Sequence, residues 1–226
     1  MKFGVVTFPG STGDRDMYYV LNSLLGLKTE KLWHKDRDLK GCDFIVLPGG
    51  FSSGDYLRAD TRYSSIIDEV ILHAAKGGYV MGISNGFQIL TEVDLLLGTL
   101  LPNVKQKFIS KNVHIKPQSK STLISSGLDF NKTYEIPIAH GNGNYSLEMD
   151  TLKLLNDNDQ IIFRYCDAKG NVTDESNPNG SVENIAGISN KTKNIFGMMP
   201  HPERAADYEL GLTDGKDIFE SILQMV

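Results

Sequence analysis

The chain has 226 residues, 40% of them hydrophobic and 23% charged, with 23 basic against 28 acidic side chains and a formal net charge of -5. That is enough apolar material for a sizeable core and too much for a disordered or fibrous chain, so one domain over residues 1–226 is expected. The acidic balance, spread along the chain, gives no basic footprint for nucleic acid.

Pro9-Gly10 interrupts the N-terminal apolar run too early for a signal peptide, and no apolar run is long enough to span a bilayer. A cytoplasmic protein with no membrane contact is expected. Cys42 and Cys166 lack CxxC spacing and read as reduced structural thiols. The five histidines, His34, His73, His114, His140 and His201, show no metal-ligand spacing, so no metal is expected.

Lys2 to Phe8 is a short β-branched run stopped by Pro9-Gly10, the pattern of a buried strand. A helix follows in which Met17, Val20, Leu21, Leu24 and Leu25 recur at helical spacing, with Asp14 or Asp16 as cap and Gly26 as stop. Strands are predicted at Thr29 to Trp33 and at Asp43 to Leu47, the latter closed by Pro48-Gly49-Gly50. Trp33 and His34, at a strand end, read as packing residues. From Tyr63, Ile66, Ile67, Val70, Ile71, Ala74 and Ala75 mark one face of a helix ended by Gly77-Gly78.

Tyr79 to Ile83 reads as a buried strand running into Ser84-Asn85-Gly86, and Phe87, Ile89, Leu90 and Val93 point to another helix. This alternation implies a parallel sheet in an α/β fold. Later runs at Val113 to Lys116, Tyr134 to Ile138, Gln160 to Tyr165, Ile185 to Ser189 and Asn194 to Met199 lie closer together, so the second half is β-richer. Asp167 to Asn184, polar and carrying Asn-Pro and Asn-Gly, is expected to be an exposed loop. Lys216 to Met225 is expected to form the last helix, with Asp214 as its cap.

In such sheets ligands gather at the carboxyl ends of strands. Gly82-x-Ser84-x-Gly86 matches a nucleophile elbow, in which flanking glycines let a strand turn sharply into a helix and expose the middle side chain. Alone it is equally an ordinary strand-to-helix turn. After a late strand come His201 and Glu203, where the carboxylate can orient the imidazole to deprotonate a nucleophile; in isolation that tripeptide is a surface turn. Gly49-Gly50 and the Asn85 N–H offer donors for a tetrahedral oxyanion, against the simpler reading of a glycine turn.

The segments FPGS (8–11), LPGGFSSGDYLR (47–58), GISNGFQIL (82–90), IPIAHGNGNY (136–145), NPNGS (177–181), NIAGI (184–188) and GMMPHPERA (197–205) occur in that order. Together they resemble the subunit I family of phosphoribosylformylglycinamidine synthase, within the class I glutamine amidotransferases, along nearly the whole chain. The resemblance implies a flavodoxin-like, mostly parallel central sheet flanked by helices. It also implies hydrolysis of glutamine to glutamate and ammonia through a thioester. The ammonia would pass to a PurL-type synthetase subunit, with a small PurS-type bridging subunit, in de novo purine biosynthesis. No cofactor is implied in this chain, since ATP and magnesium would be used by the synthetase partner.

The resemblance places the nucleophile at Ser84, where the family motif Gly-x-Cys-Asn-Gly-Phe-Gln has cysteine, and puts Gln88 in the glutamine pocket. His140 falls in a glutamine-site or interface loop, or is a hydrogen-bonded structural histidine; Arg58 and Arg204 meet phosphate or the partner, or are simply solvated. A serine in a site tuned for thiolate is expected to lose several decades of turnover. Substitution and natural divergence both account for Ser84. The retained Cys42 and Cys166 fit the first, and the departures at Thr12-Gly13 and Ala59-Asp60-Thr61 fit the second. Two other readings stand beside this one: a serine hydrolase or peptidase, and a non-catalytic glutamine-binding scaffold subunit.

Overall fold

The computed structural model describes residues 1–50 and 64–224. The chain opens with β1 (Phe3–Thr7), α1 (Gly13–Tyr18), β2 (Thr29–Trp33) and β3 (Phe44–Leu47). Next come α2 (Ser65–Ala75), β4 (Tyr79–Ile83), α3 (Asn85–Glu92), β5 (Thr99–Leu101), β6 (Ile109–Pro117), β7 (Tyr134–His140) and β8 (Asn144–Ser146). α4 (Met149–Asp157), β9 (Ile161–Cys166), β10 (Ile185–Ser189), β11 (Ile195–Met198) and α5 (Asp214–Leu223) complete it.

Among the described residues one nine-stranded sheet runs β2-β1-β3-β4-β11-β10-β9-β6-β7, with β5 and β8 forming a separate ribbon. β2, β1, β3, β4 and β11 are parallel neighbours. From β11 outward the pairings through β10, β9, β6 and β7 are antiparallel. The β-rich second half thus extends the parallel half edge to edge.

Side chains alternate across the sheet at period two. Val5, Val46, Met81 and Ile83 share one layer with Met17, Val20 and Leu21 and with Ile218, Phe219 and Ile222 of α5. Val6, Ile45, Leu47 and Val80 share the other with Ile66, Ile67 and Val70 of α2 and Phe87, Ile89 and Leu90 of α3. Helices therefore cover both faces, and the central parallel strands are buried continuous apolar runs, as such sheets require.

Several local expectations are corrected. Thr12, not Asp14 or Asp16, precedes α1, and it makes no side-chain cap. Asp14 instead accepts from Thr7 Oγ1 and Ser11 Oγ, while Asp16 pairs with Arg204. After Tyr18 the helix widens into a π-helical turn, Tyr19–Leu24. Asp214 is the first residue of α5 rather than its cap, and it accepts the Glu135 N–H at 2.8 Å and pairs with Lys132. The 167–184 segment is only partly an exposed loop: Asn179, Ser181 and Asn184 are buried by hydrogen bonds to neighbouring strands and loops.

Candidate active site

β4 delivers Ser84 to the carboxyl end of the parallel strands, and the chain turns there at φ 52°, ψ -108°, a strained conformation for a residue with a Cβ. The flanking glycines make that turn sterically possible. A Cβ on Gly86 would lie 1.9 Å from the Leu47 carbonyl oxygen, and one on Gly82 would lie 2.6 Å from the Gly86 backbone. The Ser84 N–H donates to the Met198 carbonyl at 2.8 Å, which ties the elbow to β11 and leaves oxyanion donation to other groups.

β11 sends the chain through Pro200 to His201, whose N–H donates to the Pro137 carbonyl of β7 at 2.9 Å. A 3-10 turn, Pro202–Arg204, with proline at its start, swings Glu203 back under the ring. His201 Nδ1 lies 2.6 Å from Glu203 Oε1, and both side chains are 1% exposed. With Nδ1–H donated to the carboxylate, Nε2 presents its lone pair. Nε2 is buried and has no hydrogen-bond partner among the described residues.

Gly49 closes the group. A Cβ there would stand 2.7 Å from Ser84 Cβ and 3.0 Å from His201 Cε1, so the elbow, the imidazole and the loop after β3 meet at one point. The Gly49 carbonyl accepts from the Gly13 N–H, and the Gly50 carbonyl accepts from the Thr12 N–H and Oγ1, which orients both peptide planes. Gly50 takes φ 73°, and a Cβ on it would strike Thr12 Oγ1 and Arg204 Nη2.

The third side is the 140–145 segment. Gln88 Nε2 donates to the Asn142 carbonyl at 2.9 Å, and its Oε1 accepts from Asn85 Nδ2 at 3.2 Å. The elbow helix is thereby laced to the loop after β7. His140 is fully buried, and burial first, then the nearby charge of His201, pushes its pKa down to about 4, so it is neutral at neutral pH. Its Nδ1 lies 3.0 Å from Asn103 Oδ1. Of the two expectations for His140, the hydrogen-bonded structural histidine is the one seen, and the charge of His201 acts on it besides.

Arg204 Nε pairs with Asp16 at 3.1 Å on a part-exposed rim. A cavity of about 670 Å³ opens there beside His201, bordered by Asp16, Asn112, Pro137 and Arg204. Arg58 lies outside the described residues, as does most of the 47–58 segment. His34 is buried against the Phe8 and Trp33 rings, the packing role expected of it. Burial raises the thiols of Cys42 and Cys166, the latter to about 11, so neither supplies a thiolate at neutral pH. No cluster of three or more potential metal ligands occurs among the described residues, and no described helix is long and apolar enough to cross a membrane. Asn103 and Asn179 are site neighbours that sequence reasoning missed: Asn103 carried no motif, and Asn179 sat in a segment read as exposed.

The family model for the CobB/CobQ-like glutamine amidotransferase domain matches residues 1–211. The PurQ subunit of phosphoribosylformylglycinamidine synthase from Synechocystis sp. is 51% identical over 97% of this chain and 99% of its own length. The PurQ subunit from Chlorobaculum parvum is 49% identical over 98% of this chain and 89% of its own length. The chain belongs to the PurQ family. A chain in the structure of PurLQS from Thermotoga maritima superposes with a TM-score of 0.84 at 38% identity, covering 99% of this chain and 98% of that one. A glutamine amidotransferase from the same organism, 15% identical with a TM-score of 0.58, shares the fold. The α/β architecture expected from the sequence is thus that of known glutamine amidotransferases, and PurQ proteins are enzymes of that class.

Proposed function

We propose that Ser84, His201 and Glu203 form the nucleophile, base and orienting acid of a glutaminase site that feeds ammonia to a PurL-type synthetase subunit, with a PurS-type bridging subunit, in the cytoplasm. The observation that carries this reading is the meeting of Ser84, His201 and Gly49 at one buried point, with Glu203 Oε1 2.6 Å behind the imidazole. The side chain at position 84 attacks the amide carbon of glutamine as His201 Nε2 takes its proton. The oxyanion that forms is met by N–H groups of the Gly49–Gly50 loop and of Asn85. His201 returns the proton to the leaving ammonia, and water then cleaves the acyl-enzyme by the same base. Gln88 and His140 shape the wall against which glutamine lies. On this reading ATP and magnesium act on the synthetase partner.

With cysteine at position 84 the acyl intermediate is a thioester. With Ser84 the attacking group is a hydroxyl that depends wholly on its base, and turnover falls by several decades, on the order of 10⁶ by comparison with nucleophile loss in other triads. The decisive experiment measures ammonia release from glutamine by the Ser84→Cys protein mixed with a PurL-type synthetase. Restored release is expected; a Ser84→Cys protein that binds glutamine calorimetrically yet releases no ammonia would refute the catalytic assignment.

Ser84 itself favours a second reading, a glutamine-binding scaffold subunit without turnover, and that negative outcome is its signature. A serine hydrolase fits less well, because the acid follows His201 by two residues instead of preceding a late histidine.

A further inference from the structure

Asn103, between β5 and β6, is fully buried, and its backbone N–H and both side-chain polar atoms reach the 140–143 segment. Its N–H donates to the Gly141 carbonyl at 2.7 Å. Its Nδ2 donates to the carbonyls of Lys107 at 2.8 Å and His140 at 2.9 Å. Because two carbonyls face Nδ2, the other side-chain atom must be the oxygen. That oxygen is 3.0 Å from His140 Nδ1 and accepts the Gly143 N–H, also at 3.0 Å. An oxygen acceptor there requires the proton of His140 to sit on Nδ1, which leaves Nε2 as a bare acceptor 3.5 Å from Asn179 Nδ2.

The arrangement reaches the triad by two routes. Through space, the charge of His201 bears on His140 and, after burial, helps to lower its pKa. Through bonds, the 140–143 segment that Asn103 holds includes the Asn142 carbonyl that anchors Gln88, and Gln88 in turn holds Asn85 beside the elbow. Gly143 is needed for this closeness, because a Cβ there would lie 2.2 Å from the His140 ring. Among the described residues, the titratable groups linked to His140 are His201 with Glu203 behind it, and the Tyr165 hydroxyl, which is joined through Asn179.

We propose that Asn103 is a positioning residue of the glutaminase site, fixing His140 as the neutral Nδ1–H tautomer beside His201 and holding the loop that braces Gln88. This rests on the triad reading above, but its first test does not. In histidine-labelled protein, the imidazole ¹⁵N shifts of His140 report its tautomer directly. A protonated Nδ1 and unprotonated Nε2 that persist below pH 5 are expected. In Asn103→Ala the Nδ1–H preference is lost, and water admitted to the vacated space relieves the burial that holds His140 down, so it titrates at higher pH. An Nε2–H tautomer in the parent chain, or unchanged shifts in Asn103→Ala, would overturn the proposal.

The second test uses the Ser84→Cys protein in complex with its synthetase. Asn103→Ala is expected to raise KM for glutamine about tenfold and to move the acid limb of kcat/KM toward neutral pH. A uniform fall in kcat with an unshifted profile would mean only structural damage and would overturn the positioning role. If Asn103→Ala does not fold, Asn103→Asp keeps the volume and the acceptor, gives up the Nδ2 donor to the Lys107 and His140 carbonyls, and adds a charge beside His140. It must shift both the ¹⁵N titration and the acid limb upward, and a profile equal to the parent's rejects the idea. Should Ser84→Cys release no ammonia at all, the triad reading fails while the tautomer experiment still decides the role of Asn103.

Discussion

At the scale of single residues, the buried pair His201 and Glu203 makes a graded prediction. In the proposed mechanism His201 moves the proton, whereas Glu203 holds the ring and steadies its charge, so the two losses should differ. In the Ser84→Cys background, His201→Ala is expected to cost on the order of 10⁶ in kcat and Glu203→Ala on the order of 10⁴, the pattern seen when triad members are removed one at a time. Steady-state ammonia release would check it, and equal or reversed losses would contradict the assigned roles. Gly49→Ala tests the meeting point differently. The new methyl would stand 2.7 Å from the Cβ of residue 84. Overpacking of this kind costs roughly 1–3 kcal/mol. Displacement of the nucleophile should cost the Ser84→Cys enzyme far more in activity than that modest drop in stability implies. An active Gly49→Ala protein with a lowered Tm would show that the nucleophile does not depend on this contact.

At the scale of elements, the elbow depends on α3 lying close to the end of β3. Gly86→Ala would put a Cβ 1.9 Å from the Leu47 carbonyl, a backbone atom that cannot step aside. Gly77→Ala meets nothing within 4 Å and suffers only from its φ of 87°. The second should therefore lower stability by about 1 kcal/mol, while the first lowers it by several and displaces α3. Thermal unfolding of the two proteins should separate them clearly. The same contrast shows what could be read from sequence. Gly82 and Gly86 around Ser84 were legible because a sharp turn needs them locally, and β1, β3 and β4 were legible because two covered faces demand continuous apolar runs. β5 and β8, three residues each, carry too little pattern to detect. α4 buries only Leu152 and Leu155 toward the core, too thin a stripe to stand out. Asn103 and Asn179 were hidden for a different reason: their burial is created by partners distant in the chain, and an isolated asparagine beside proline or glycine reads as a turn.

At the scale of the whole molecule, the parallel half of the sheet supplies Ser84 and His201, while the antiparallel half supplies the wall that faces them. His140 ends β7 on that antiparallel side and is linked to the proposed site electrostatically, through the charge of His201. Burying a neutral imidazole at this junction couples the stability of the fold to pH. An unfolded chain takes up a proton at this histidine near pH 6.5, whereas the folded protein resists until about pH 4. Between those values the unfolded state binds more protons, so stability must fall as pH falls. The loss amounts to roughly 3 kcal/mol by the time pH reaches 4. Other buried groups contribute their own slopes, so the comparison has to be internal. Urea unfolding of the parent chain and of His140→Gln, measured from pH 7 to 4.5, would isolate the share of this one ring. The glutamine variant is expected to be less stable at pH 7 because the Asn103 contact is perturbed, yet to lose less stability on acidification, so the two curves converge. Parallel curves would mean that His140 is protonated as readily in the folded protein as in the unfolded one, and the neutral junction between the two halves of the sheet would have to be abandoned.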